Sequence, residues 1–196
     1  GTGGQAETQL EAVLAVRPIK QVYVSDLNTE RAESFAKEMT ELYGEKYQTK
    51  IEATHDLEAA IRESDIITAV TTSPVKTFDG KWVKPGAHIN GVGSYTPQMA
   101  EIDALVLQRA SKVYCDTTDA LVESGDFTQA VEKGVFDLAS VTGELGDLLI
   151  GKTACRESDE EITYFNTTGN AVLDIVTAQR IFEAAIAKGI GSTLEF

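Results

Sequence analysis

The opening hexapeptide, Gly1-Thr2-Gly3-Gly4-Gln5-Ala6, together with an acid at Asp26, constrains this chain more than any other feature. Gly1 permits a tight turn from strand to helix, and Gly3 lets the backbone approach a diphosphate with no Cβ in the way. Ala6, small at the third position of the pattern, allows the following helix to pack closely on a sheet. A diphosphate would sit on that helix start, where unpaired N–H groups and the helix dipole favour an anion. Gln21-Val22-Tyr23-Val24-Ser25-Asp26 then reads as a strand ending in a carboxylate. An acid there accepts hydrogen bonds from both adenine-ribose hydroxyls and repels a 2′-phosphate, which favours NAD over NADP. The plainer alternative is a glycine-rich helix start followed by an Asp that caps the next turn. Because a turn of this kind normally follows a buried strand, the natural form is expected to carry a strand, and a substrate domain, upstream of Gly1.

The 196 residues can bury the core of one domain plus an appendage, and 42% hydrophobic with 24% charged residues is ordinary globular composition. A formal net charge of −14 with no basic stretch argues against a nucleic-acid partner. Cys115 and Cys155 form no C-x-x-C pair, and reduced thiols in a cytoplasmic protein are the simpler expectation. His55 and His88 are the only histidines, so no metal site is expected. No signal peptide or apolar run of transmembrane length is visible, and no membrane partner is expected.

Helix and strand patterns alternate along the chain. The segment 5–17 places Leu10, Val13, Leu14 and Val16 mostly on one face of a helix. A second helix starts at Asn28 or Thr29 and runs to about Leu42, with Gly44 as its predicted stop. Strands are predicted over 50–53, 65–70, 87–92 and 112–115, with helices over 56–62 and 104–110 between them. Short helical pieces ending at Gly125, Gly134, Gly146 and Gly151 follow, then a strand over 162–165 and a long helix over 170–188. The fold class is therefore α/β, a Rossmann-like doubly wound parallel sheet lacking its first strand, with a C-terminal helical extension. Residues 1–150 are read as the dinucleotide-binding domain. Residues 151–196 are read as a strand and helix that return to a domain outside this chain.

Five strings occur in an order that resembles the ornithine cyclodeaminase/mu-crystallin family, which includes alanine dehydrogenase-like and ketimine reductase members. They are the opening hexapeptide, Pro85-Gly86-Ala87-His88-Ile89-Asn90-Gly91-Val92-Gly93, Glu123-Ser124-Gly125-Asp126, Gly143-Glu144-Leu145-Gly146 with Gly151, and Phe165-Asn166-Thr167-Thr168-Gly169-Asn170-Ala171 with Asp174. The resemblance implies a Rossmann domain joined to an N-terminal substrate and dimerisation domain, and hence a homodimer formed through that domain. It implies NAD as cofactor, with Gly4 and Gln5 at the diphosphate, Asp26 at the adenine ribose and Thr71 at a strand end. It places Ile89, Asn90, Gly91 and Val92, with Thr167 and Thr168, around the nicotinamide. His88, at the start of a parallel strand, is expected to be structural.

One departure from the family pattern bears on the chemistry. Cyclodeaminase members carry a catalytic Asp where this chain has Tyr95, in Gly93-Ser94-Tyr95-Thr96-Pro97. A carboxylate beside an α-carbon can act as a base, whereas a phenol with an ordinary pKa of about 10 does not do so easily at neutral pH. Met99 likewise stands where cyclodeaminases often have a Lys. The expectation is an NAD(H)-dependent oxidoreductase acting on the C–N bond of a small amino or imino acid: a ketimine or pyrroline-2-carboxylate reductase, or an alanine dehydrogenase. Tyr95 is the candidate catalytic residue. The alternatives are an ornithine cyclodeaminase with bound NAD, and a dinucleotide-binding protein without catalysis, as in the crystallin branch.

Overall fold

The computed structural model describes residues 1–194. Helix α1 (Ala6–Val16) leads into β1 (Gln21–Val24), α2 (Thr29–Met39), the short α3 (Glu45–Tyr47) and β2 (Lys50–Ala53). After α4 (Leu57–Glu63) come β3 (Ile66–Ala69), β4 (His88–Gly91), α5 (Ala104–Arg109) and β5 (Lys112–Cys115). The chain continues through α6 (Ala120–Glu123), α7 (Gly125–Glu132), β6 (Gly143–Glu144) and α8 (Leu145–Leu149), and closes with β7 (Thr163–Asn166) and α9 (Ala171–Ala187).

All strand pairs among the described residues are parallel, as the alternation of helix and strand patterns predicts. They form two sheets, β1–β2 and a five-stranded sheet in the order β3-β4-β7-β5-β6. Strand β7, read from the sequence as part of an extension beginning at 151, is in fact the middle strand of the larger sheet. It pairs with β4 on one side and β5 on the other.

Gly1 lies between the two sheets. Its amino group donates to Ser25 O, just past β1, at 2.7 Å. A Cβ built on Gly1 would come within 2.8 Å of Val70 O, just past β3. The doubly wound order has a strand at that position, leading into the glycine turn.

Each sheet has its own core. Leu14, Val24, Ala32, Ala36, Met39, Tyr43 and Ile51 pack α1 and α2 onto the smaller sheet. The larger sheet buries Ile67, Ile89, Val113 and Tyr164 against Val106, Leu107 and Phe127 from the helices of one face. Phe127 and Tyr164 meet edge-on with ring centroids 5.9 Å apart.

The helix over 29–42 does not stop at Gly44. Gly44 is helical (φ −55°, ψ −52°), within a π-helical turn over Thr40–Gly44, and the stop comes at Gln48 in the left-handed region (φ 53°). The extra residue in that turn lets Tyr43 reach the core while its hydroxyl meets Glu7 and Glu11 at 3.1 and 3.3 Å. Gly134 and Gly151 do terminate helices with positive φ, whereas Gly125 opens α7 and Gly146 lies inside α8. Helix α9, capped by the Asn170 side chain on Val172 N, buries none of its residues, and Ile175, Ile181 and Phe182 stand about two-thirds exposed. Among the described residues no helix is long and apolar enough to cross a membrane.

Candidate functional site

The carboxyl ends of β1, β3, β4 and β7 bring most of the sequence-predicted residues to one rim. At the end of β1, Asp26 Oδ2 accepts from Thr2 N (3.0 Å) and Thr2 Oγ1 (2.8 Å), and Oδ1 accepts from Asn28 N (3.0 Å). Partial burial alone would raise its pKa. The hydrogen bonds from Asn28 and Thr2, with the nearby Arg31 guanidinium, outweigh that and hold the carboxyl below its ordinary value. A carboxylate offers about four lone-pair sites, so three bonds leave Oδ1 able to accept from a ligand hydroxyl.

The glycine turn is shaped by two different constraints. Gly1 is hemmed in: a Cβ there would also lie 2.8 Å from Thr71 Cγ2. Gly3 and Gly4 face open space, with nothing within 4 Å of a built Cβ. Gln5, the N-cap of α1, uses no side-chain capping bond, so its amide is left to other partners.

At the end of β3, Thr71 N donates to Glu101 Oε2 at 2.6 Å, and the same carboxylate accepts on Oε1 from Val92 N (3.1 Å) and Gly93 N (2.6 Å), just past β4. Glu101 is wholly buried. Gly91 leaves no room for a side chain, since a Cβ would sit 2.6 Å from the Tyr164 hydroxyl and 3.1 Å from Asp126 Oδ2. Thr167 N donates to Gly91 O (3.0 Å), while Thr167 Oγ1 and Gly169 N donate to Asp116 Oδ2 at 2.5 and 3.0 Å. The Thr168 hydroxyl is buried without a hydrogen-bond partner.

Other predicted residues sit differently. Ile89 is wholly buried, with its side chain in the core of the larger sheet. The Asn90 amide is held between His88 Nε2 (3.0 Å) and Thr68 Oγ1 (3.2 Å) on a sheet face. His88 is structural, as expected: Nδ1 meets Thr163 Oγ1 at 2.7 Å, and that oxygen accepts from Arg156 Nη2 at 2.9 Å. With Thr163 Oγ1 accepting from Arg156, its own proton goes to Nδ1, leaving Nε2–H to donate to Asn90. Burial lowers the His88 pKa, which favours the neutral ring. Tyr95, in the loop after β4, is about half exposed.

Glu101 carries no signal in the sequence, and Asp126 stands out in it only within the string Glu123-Ser124-Gly125-Asp126, with no role assigned. Asp126 is buried beneath Gly91, accepting from Ile102 N (3.0 Å), the Tyr164 hydroxyl (3.0 Å) and Asn166 Nδ2 (3.3 Å). Burial, reinforced by the Glu101 charge, pushes its pKa up to about 7. The folded state therefore holds a proton here that the unfolded chain releases near pH 4, so this group's contribution falls as pH rises from about 4 to about 7. Asp126→Asn should flatten that decline, which urea melts of both proteins at pH 5 and pH 8 would measure. An equal pH dependence in wild type and variant would contradict the assignment.

The residues fit a dinucleotide on three counts: space over Gly3 and Gly4, an acceptor left on Asp26 Oδ1, and an unpartnered Thr168 hydroxyl in the loop just past β7, the strand next to β4. The comparisons agree. The model of the ornithine cyclodeaminase/mu-crystallin family matches residues 1–189. The chain belongs to this family. It is 39% identical, over its whole length, to a Delta(1)-pyrroline-2-carboxylate reductase of Bacillus cereus, of which it covers 59%. It is 33% identical over its whole length to an alanine dehydrogenase of Archaeoglobus fulgidus, covering 58% of that protein. The structure of Thermococcus litoralis Delta(1)-pyrroline-2-carboxylate reductase in complex with NADH and L-proline superposes with a TM-score of 0.92 at 34% identity, across 99% of this chain and 59% of that one. The chain thus spans about three-fifths of the length of these family members. The family resemblance and the Rossmann-like architecture read from the sequence both hold.

Proposed function

We propose that this chain forms the cofactor half of an NAD(H)-dependent oxidoreductase that acts at the C–N bond of a small amino or imino acid, with a cyclic imine such as pyrroline-2-carboxylate as the leading substrate. One observation carries the reading: uncovered glycines at the start of α1 lie beside the Asp26 carboxylate at the end of β1. The N–H groups at the α1 start receive the diphosphate, Asp26 holds the adenine ribose, and Thr71, Gly91, Val92 and the Thr168 hydroxyl border the nicotinamide. When bound, the dinucleotide supplies the hydride donor or acceptor, and the protein contributes orientation and exclusion of water. Tyr95, exposed on the loop after β4, faces outward toward substrate as a hydrogen-bond or proton donor.

The unpaired edges of β1 and β3 on either side of Gly1 support a further strand between them, supplied by the segment that leads into the turn. The uncovered apolar side chains of α9 support its return to an N-terminal substrate domain, through which the protein dimerises. Activity in the cytoplasm fits the free thiols Cys115 and Cys155. Tyr95 in place of a carboxylate disfavours the cyclodeaminase reading.

The test is NADH oxidation by the full-length protein, followed at saturating pyrroline-2-carboxylate and, separately, with pyruvate plus ammonia. Consumption with either imine, fastest with the cyclic one, is the expected result. Conversion of ornithine to proline with release of ammonia and no net change in NAD redox state would establish the lyase instead. Tight NADH binding with no turnover on any of these would leave a dinucleotide-binding protein.

A further inference from the structure

We propose that Glu101 is a positioning residue of the cofactor site, an internal carboxylate that ties the exits of β3 and β4 into one rigid rim and so fixes Thr71 and Val92 against the nicotinamide end. The inference rests on the dinucleotide reading above. Its basis is geometric. The side chain is wholly buried, and it accepts from the main-chain amides of Thr71, Val92 and Gly93, which lie just past the ends of two neighbouring parallel strands. No lysine or arginine pairs with it among the described residues. Main-chain donors alone receive the charge, and a carboxylate held that way is a strong, directional clamp.

The two exits are also pressed together. A Cβ built on Gly93 would fall 1.8 Å from Thr71 O, so the loops touch backbone to backbone where Glu101 bridges them. The Asp26 carboxylate has its own supports in Thr2 and Asn28, whereas the turn at Gly1 packs against Val70 and Thr71 of the exit that Glu101 holds. Glu101 therefore acts most directly on the end bordered by Thr71 and Val92, and on the Asp26 end only through the packing at Gly1. Below it, Ile102 N donates to Asp126, which anchors the residue that follows the clamp to the floor under Gly91.

The charge form matters to the geometry. A glutamine at this position has one acceptor oxygen and one NH2, so one of the two groups now accepting would instead present protons to a main-chain N–H. The rim would open locally while Asp26, held by Thr2 and Asn28, stayed as it is.

Two ligands separate the ends of the site: NADH, and ADP-ribose, which keeps the diphosphate and adenosine but lacks the nicotinamide ring. In calorimetric titrations Glu101→Gln is expected to bind ADP-ribose within about twofold of wild type and NADH about tenfold more weakly, the equivalent of one hydrogen bond to a charged group. Equal weakening of both ligands, or of neither, would overturn the proposal and leave Glu101 a purely structural residue. Should Glu101→Gln fail to fold, Glu101→Asp carries the same comparison, since it keeps the charge and shortens the reach by one methylene. A selective loss of NADH supports the clamp, and an unselective or absent loss removes it. A wild-type protein that binds neither ligand would instead refute the cofactor site itself.

Discussion

Asp26→Ala is expected to weaken NADH binding roughly 10- to 100-fold, the range for loss of hydrogen bonds to a charged acceptor, while the affinity for NADPH changes far less. The carboxylate does two things at once. It accepts from the ligand's ribose hydroxyls, and it holds Thr2 N and Oγ1 so that the glycine turn keeps its shape beside β1. Its charge also repels a 2′-phosphate, so removing it costs NADH binding and relaxes discrimination in the same step. Because Asp26 is partly exposed, water can take over the Thr2 and Asn28 donors, and the variant should fold normally. Paired titrations with NADH and NADPH measure the effect. An unchanged preference between the two would remove the ribose assignment.

Gly93→Ala should cost the fold at the upper end of what overpacking costs, about 3 kcal/mol. The added methyl would lie 1.8 Å from Thr71 O and 2.4 Å from Thr71 N. Those are main-chain atoms of a neighbouring strand exit, not the far end of a flexible side chain, so the backbone itself must move. Thr71 N and Gly93 N are both held by Glu101, and any separation of the loops breaks at least one of those bonds. Urea denaturation of the variant against wild type gives the loss directly. A difference below about 0.5 kcal/mol, the level of an ordinary surface change, would mean that the two exits are not in contact.

The alternation of helix and strand patterns made the strands legible, and 112–115 and 50–53 were located without error at either end. Asp26 was legible because a motif fixes its place at the end of the strand after the glycine turn. What was hidden is non-local. The order in which β7 slots between β4 and β5 leaves no trace in its own residues, and the two-residue β6 is too short to show any period. The roles of Glu101 and Asp126 were hidden for a related reason: their partners are main-chain amides and side chains up to 40 residues away, as in the bond from Asn166 to Asp126. A buried acid satisfied by such partners has no spacing pattern that distinguishes it from a solvated one. Gly44 misled because glycine is tolerated inside a helix when the turn around it widens.

The central claim is that the opening glycines and Asp26 form one half of a dinucleotide site. A crystal structure of the full-length protein with NADH tests it most directly. The account predicts the diphosphate within hydrogen-bonding distance of the main-chain N–H groups between Gly3 and Gln5, with a ribose hydroxyl on Asp26. A cofactor bound away from that turn, or with its ribose out of reach of Asp26, would contradict it.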